Sequence, residues 1–244
     1  LTHAATVSRR TGCEVWVKRD DCTHPRYGGN KVRKLARLLE SARADGIAEV
    51  VTVGAAGSHH CLATAIHGLA AGLRVTCALL PQPRSPHVTE TLRALVGTGA
   101  TVIPTGGAGT MMATALARVA TLRAQGVRAR FIPAGGSTPE GARGYVDAVD
   151  ELAAQGGGGF DAMVCALGSG GTHAGLLAGV VARGLPAAVW GVRVTPLTGA
   201  RGLVWALARA AGRRPVPWDA VRVRDDRSEE HMSELQSQFR ISYA

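Results

Sequence analysis

The pattern that most constrains the fold is a regular alternation of short β-branched or apolar runs with longer runs rich in Ala and Leu. Strands are expected at Glu14–Lys18, Glu49–Val53, Arg74–Leu80, Thr101–Ile103, Ala129–Ile132, Asp161–Leu167 and Ala188–Val192. Between them, helices are expected at Asn30–Ala44, Ser58–Ala71, Pro86–Val96, Gly109–Gln125, Thr138–Gln155, Thr172–Arg183 and Gly199–Ala211. Runs such as Val50-Val51-Thr52-Val53 and Met163-Val164-Cys165-Ala166-Leu167 are apolar almost throughout. They suit strands buried on both faces of a parallel sheet. The alternation predicts an α/β fold with right-handed crossovers, whose ligands sit beyond the carboxyl ends of the strands. Chemistry is therefore sought in the loops that follow strands. Gly156–Gly159 reads as a surface linker, and no internal repeat is seen.

Composition narrows the function. Of 244 residues, 46% are hydrophobic and 19% charged. That is enough to build a core and too little charge for a disordered polyelectrolyte. No apolar run reaches the roughly 18 residues of a membrane helix, and Leu1-Thr2-His3 has no signal-peptide character. A soluble, cytoplasmic protein without a membrane partner is expected. The net charge is +10, from 28 basic and 18 acidic residues; only Lys18, Lys31 and Lys34 are lysines. The arginines are scattered and aromatics make up 4%, too few for stacking platforms, so no nucleic-acid partner is expected. A basic nucleic-acid-binding α/β domain is the reading kept in reserve. The five cysteines form no C-x-x-C pair, which predicts a reducing compartment. His59-His60-Cys61 does not predict a metal, because adjacent residues diverge on a helix and no second ligand pair stands at a suitable spacing.

Four turns carry polar groups. In Gly28-Gly29-Asn30-Lys31-Val32-Arg33-Lys34-Leu35, the glycines allow a tight turn and Asn30 can cap the following helix. Lys31 then stands at the positive end of the helix dipole, where a cation is disfavoured and the amine becomes a better nucleophile. An ordinary exposed lysine is the other reading. Leu167-Gly168-Ser169-Gly170-Gly171-Thr172-His173-Ala174-Gly175 links a strand to a helix, with free N–H groups and two hydroxyls to receive a phosphate. It is neither a Walker loop nor G-x-G-x-x-G, and no acidic residue ends the next strand to hold a ribose; a turn that merely permits close packing is the alternative. Gly54-Ala55-Ala56-Gly57-Ser58-His59-His60 offers Ser58 as a helix cap or as a hydroxyl facing substrate. Pro133-Ala134-Gly135-Gly136-Ser137-Thr138-Pro139-Glu140-Gly141 reads as turn and capping chemistry.

An amine nucleophile with a cradle for one phosphate points to pyridoxal 5′-phosphate, an electron sink for carbanions. The segments VWVKRDDCT…YGGNKVRKL, GAAGSHH, IPAGGSTPEGARGYVDA and ALGSGGTHAG resemble the family of 1-aminocyclopropane-1-carboxylate (ACC) deaminase and D-cysteine desulfhydrase, from Val15 to about Val194. The resemblance implies a fold-type II enzyme, tryptophan synthase β-like, with two three-layer αβα domains built on mostly parallel sheets. A large cofactor-binding domain is expected at 1–45 with 137–226, and a small one at 46–136. Lys31 is implied as the Schiff-base lysine. Asn30, Lys31 and His59, with Gly168, Ser169, Gly170, Gly171 and Thr172, are implied as cofactor-binding. Ser58 is implied as catalytic, assisting proton transfer or binding the substrate carboxylate, and Ser58, His59 and His60 are implied as substrate-binding. The implied reaction is deamination or β-elimination of a small amino acid to a 2-keto acid and ammonia, and a homo-oligomer is implied with it.

Two departures stand out. Around Ser58 the family pattern is Gln-Ser-Asn-His; here Gly57 replaces the Gln and His59 the Asn, while His60 is kept. Family members also run further at the C-terminus, where the partner of the pyridine nitrogen and a site tyrosine lie. Residues 227–244 lack glycine, although the rest of the chain holds 32. RSEEHMSELQS, back-translated, matches a sequencing adapter but for Met232. A non-native tail at 227–244 is expected, and a truncated, catalytically incompetent fragment is the alternative to an active enzyme.

Overall fold

The structure, a computed structural model, describes residues 1–195 and 198–224. The expected tail at 227–244 lies outside them. In chain order, the elements are β1 (Thr2–His3), α1 (Ala5–Thr11), β2 (Trp16–Val17), α2 (Asn30–Ala44), β3 (Glu49–Ala55), α3 (His59–Ala70), β4 (Arg74–Leu80), α4 (Pro86–Gly97) and β5 (Thr101–Pro104). There follow α5 (Ala108–Ala124), β6 (Ala129–Ile132), α6 (Pro139–Ala154), β7 (Ala162–Leu167), α7 (Gly171–Arg183), β8 (Ala188–Arg193), α8 (Ala200–Ala211) and β9 (Arg222–Arg224). The strand–helix alternation is present as expected, and β1, α1 and β9 are additions. The described residues divide into a middle unit, Lys31–Gly141, and an outer unit made of Leu1–Asn30 with those described from Ala142 to Arg224.

The middle unit is a four-stranded sheet in the order β5-β4-β3-β6, and every pair is parallel. Val50, Val51 and Val53 of β3 are at most 1% exposed, as a strand covered on both faces requires. On one face α5 packs through Ala115, Val119 and Leu122 against Val51, Val53 and Ala78. On the other, α3 lies so close that a Cβ on Gly68 would stand 2.7 Å from Val75 Cγ2 and 3.8 Å from Val50 Cγ2. The helices thus hold the C-terminal ends of β3 and β4, and the turns that follow, in fixed places.

A charged residue is buried where this sheet begins. Glu49, 1% exposed, opens β3. It accepts hydrogen bonds from Thr76 Oγ1 at 2.7 Å and Arg74 Nε at 3.1 Å, and Arg118 Nη2 stands 3.0 Å from its Oε1. Burial pushes this carboxyl up, but the donated hydrogen bonds and the Arg118 charge outweigh burial and hold it below its ordinary value of 4.5. A carboxyl lowered in the folded state stabilises the fold fully above the unfolded value, and that stability is lost as pH falls through the folded one. Glu49→Ala is expected to cost about 3 kcal/mol, read as a lower urea midpoint at pH 6. Glu49→Gln should lose less of its midpoint than the wild type between pH 6 and pH 3; an equal loss in both proteins would refute the assignment.

The outer unit holds a parallel sheet in the order β7-β8-β9 and the antiparallel pair β1–β2. Leu167, Leu177, Val189, Val204 and Leu207 join α7, α8 and one sheet face in a single core. Helices α6 and α7 meet along glycines: a Cβ on Gly175 would stand 2.1 Å from the Ala142 carbonyl oxygen, and one on Gly179 would stand 2.8 Å from Val149 Cβ. On the opposite face of β7, Val164 is 69% exposed. Residues 1–30 are tied to those beyond 142 by side chains: the Tyr145 hydroxyl donates to the Asp20 carboxylate and the Lys18 amine pairs with Glu151.

Candidate active site

In the outer unit, the approach to Lys31 is built by backbone. The Asp20 carbonyl accepts from the Gly29 N–H at 2.6 Å and from Thr23 Oγ1 at 2.7 Å. A Cβ on Gly28 would lie 1.8 Å from the Asp21 carbonyl oxygen, so only glycine fits there. Gly29 has φ +117°, open only to glycine at little cost. The chain then enters α2 at Asn30 itself.

Lys31 is the second residue of α2 and the first of the middle unit. Burial holds its amine below the ordinary lysine value, the direction expected for a cation taken out of water at the start of a helix. Lys34 follows three residues later on the same helical face and is only 1% exposed. The sequence reading does not single out Lys34; its spacing from Lys31 is the one local signal that could have found it.

Ser58 caps α3, its hydroxyl oxygen accepting the Cys61 N–H at 3.3 Å. The capping role is thus realised, and the hydroxyl hydrogen stays available to donate elsewhere. Gly54, across the turn, leaves room for it: a Cβ there would lie 2.5 Å from Ser58 Oγ. His59 is half-buried. Burial first, then the charges of His87 and Lys31, hold its imidazole down at about 4. His60 is 4% exposed. Thr52 Oγ1 donates to the Ile132 carbonyl at 2.8 Å, so at 2.9 Å it accepts from His60 Nε2. Burial and the charges of Lys31 and Lys34 push His60 down to about 3. Lys34 and His60 approach each other at Gly136, whose Cβ would stand 3.6 Å from Lys34 Cβ and 3.9 Å from His60 Cε1. The middle unit thus gathers Lys31, Lys34, His59 and His60, with Ser58 at the adjoining cap, and both imidazoles are neutral at pH 7. The turn at 133–141 does capping work, Thr138 Oγ1 accepting the Gly141 N–H at 3.0 Å.

The second glycine turn lies in the outer unit, after β7. Gly170 has φ +83°, and α7 begins at Gly171. A Cβ on Gly168 would meet nothing nearer than Val194 Cγ2 at 4.0 Å, so the turn has open space before a helix N-terminus. Thr172 is 9% exposed. His173, where a dinucleotide motif has its third glycine, is fully buried; its Nε2 stands 3.3 Å from the Val189 carbonyl. Burial holds it at about 4. Gly191 of β8 makes its room, since a Cβ there would lie 2.4 Å from His173 Nδ1. The histidine is packing for the turn.

These features fit a phosphate-bearing aldehyde residue by residue. An amine with its charge disfavoured suits condensation with a carbonyl, and an open glycine turn at a helix start suits a phosphate. Among the described residues, no group of three or more His, Cys, Asp or Glu stands together to hold a metal ion, and no helix is long and apolar enough to cross a membrane.

Comparisons with known proteins bear on the same chemistry. Residues 1–237 match the family described as "Pyridoxal-phosphate dependent enzyme". D-cysteine desulfhydrase of Yersinia pestis is 38% identical over 190 residues, 74% of this chain and 56% of the relative. Nocardicin C-9′ epimerase of Nocardia uniformis is 38% identical over 215 residues, 85% of this chain and 66% of the relative. A solved structure described as an ACC deaminase homologue superposes with TM-score 0.80 at 29% identity, covering 91% of this chain and 70% of the other. The chain spans between 55% and 66% of the length of the curated relatives it matches. Its fold is that of fold-type II enzymes, and the chain belongs to the family of pyridoxal-phosphate-dependent enzymes.

Proposed function

We propose that this chain is the cofactor-binding part of a deaminase or lyase acting on a small amino acid, as ACC deaminase or D-cysteine desulfhydrase does, and releasing a 2-keto acid and ammonia. Lys31 is the amine that bonds covalently to the cofactor's aldehyde carbon. The observation that carries this reading is a lysine in the first turn of α2, made less basic by burial, beside two neutral imidazoles. When bound, pyridoxal phosphate supplies an electron sink for the negative charge left at the substrate's α-carbon.

The remaining roles fall to the chain's own residues. The N–H groups opening α7, with the Ser169 and Thr172 hydroxyls, hold the phosphate at the turn 168–172. Asn30 and His59 contact the cofactor. With the cofactor bound, Lys31 Nζ would accept the proton from the substrate's α-carbon. Ser58, fixed as a cap, donates its hydroxyl hydrogen to the substrate carboxylate or to the carbon that must be protonated. His60 fixes the floor behind them through Thr52. A cytoplasmic homo-oligomer is part of the same reading.

A second reading has one observation in its favour, the epimerase among the relatives: a proton returned to the opposite face of the α-carbon would invert it without loss of ammonia. A panel of ACC, both enantiomers of cysteine and other small amino acids separates the two. Keto acid, ammonia, sulfide and optical rotation are read separately. Keto acid with ammonia is expected; rotation lost without ammonia would favour epimerisation. Cofactor capture with no product from any substrate would leave a binding fragment.

A further inference from the structure

We propose that His87 is a positioning residue of this site, acting through the ring of His59 on the amine of Lys31. The inference deepens the proposed function and rests on its assignment of Lys31. His59 is the first residue of α3 and His87 the second of α4. Both rings therefore stand in first turns, where a helix dipole already disfavours positive charge. Their centroids lie 4.8 Å apart, with the planes tilted by 41°.

The pairing is held from several sides. Ser85 caps α4, its Oγ accepting the Val88 N–H at 3.2 Å, and Pro86 follows it at the helix start. Gln82 Oε1 accepts the Gly57 N–H at 3.0 Å. Gly57 is packed on the same segment: a Cβ there would stand 3.0 Å from Val88 Cγ2 and 3.2 Å from Gln82 Oε1. Pro81, Pro83 and Pro86 restrict the backbone between these anchors. The start of α4 is thus clamped onto the turn that carries Ser58 and His59. His87 keeps an exposed side, whereas the His59 ring is half-buried.

Among the described residues, Lys31 of α2 and His87 of α4 both bring a basic group near enough to His59 to act on its charge. Each disfavours a proton on His59. His87 therefore fixes the plane of the His59 ring and helps keep that ring a neutral donor and acceptor next to the amine.

The test is an NMR titration of the histidine rings in the chain without cofactor. In the wild type the His59 ring should stay neutral down to about pH 4. His87→Phe keeps an aromatic neighbour and removes its charge, so the His59 midpoint should rise by about half a unit or more. His87→Ala should raise it as well and broaden the ring signals, because the plane is released. Gln82→Ala, which frees the Gly57 N–H, should give a smaller rise with faster exchange at Gly57. A His59 midpoint unchanged in both His87 variants would overturn the proposal. This readout needs no cofactor, so it can fail while Lys31 capture succeeds, and the reverse.

Discussion

Lys31→Ala is expected to abolish the borohydride-stable attachment of pyridoxal phosphate: the wild-type chain should yield a reduced adduct on the peptide containing residue 31, and the variant none. The physical ground is specific to this lysine. Of the three lysines in the sequence, Lys18 is paired with Glu151, Lys34 is sealed at 1% exposure, and Lys31 is partly exposed with an amine that burial drives toward the uncharged form. Only an uncharged amine attacks a carbonyl. Attachment should therefore be complete at pH values well below the ordinary lysine value of 10.5. Lys31→Arg should fail as fully as Lys31→Ala, since a guanidinium keeps the charge and cannot condense. In a full-length homologue the loss of turnover should be on the order of a thousandfold or more. An adduct mapped to Lys34, or capture that survives in Lys31→Ala, would remove the basis of the proposed chemistry.

The second large effect is expected far from any reacting atom. Gly28→Ala would place a methyl 1.8 Å from the carbonyl oxygen of Asp21 and 2.6 Å from its carbonyl carbon. Both are backbone atoms, so no flexible side chain can swing aside. The loop cannot drift either, because the neighbouring Asp20 carbonyl is engaged by Gly29 and Thr23 and the Asp20 carboxylate by Tyr145. We expect a destabilisation of about 3 kcal/mol, at the upper end of overpacking effects, together with loss of cofactor capture as the entry to α2 is displaced. Gly12 provides the control. It has φ +69°, but a methyl added there would meet nothing within 4 Å, so Gly12→Ala should cost only about 1 kcal/mol of backbone strain and leave capture intact. Urea midpoints and trapping yields on the two variants, side by side, check both statements; equal midpoints would contradict the steric account.

Much of this was legible in residues alone. Glycine pairs and apolar runs mark where strands turn into helices, and these placed α2, β4 and β6 at their observed bounds. The turns bearing Lys31, Ser58 and Gly168 follow from the same grammar. The rest lacks a local signature. Helix α1 buries nothing, so it shows no apolar stripe to read. Strand β9 is three residues, Arg-Val-Arg, whose extended state comes from pairing with Trp190–Val192. Glu49 looks like a polar strand boundary until Arg74 and Thr76 of β4 and Arg118 of α5 arrive from two other places in the chain. His87 sits in an exposed proline-rich stretch with no motif, and only the ring of His59, 28 positions earlier in sequence numbering, gives it meaning. His173 was visible as a departure from a glycine motif, but its cause, the space left by Gly191, belongs to the neighbouring strand.

The division of the chain has a consequence for biosynthesis. The middle unit is one uninterrupted stretch, Lys31–Gly141, and can consolidate as soon as its last strand and turn have left the ribosome. The first thirty residues have no such option. Their contacts lie across 125 positions for Asp20 with Tyr145 and 133 for Lys18 with Glu151, and closing so long a loop in a nascent chain carries an entropic penalty that is met only late. Until then these residues travel as an unsatisfied arm, open to proteases and to holdase chaperones. A segment made before the middle unit thus finds its side-chain partners only after that unit has been made.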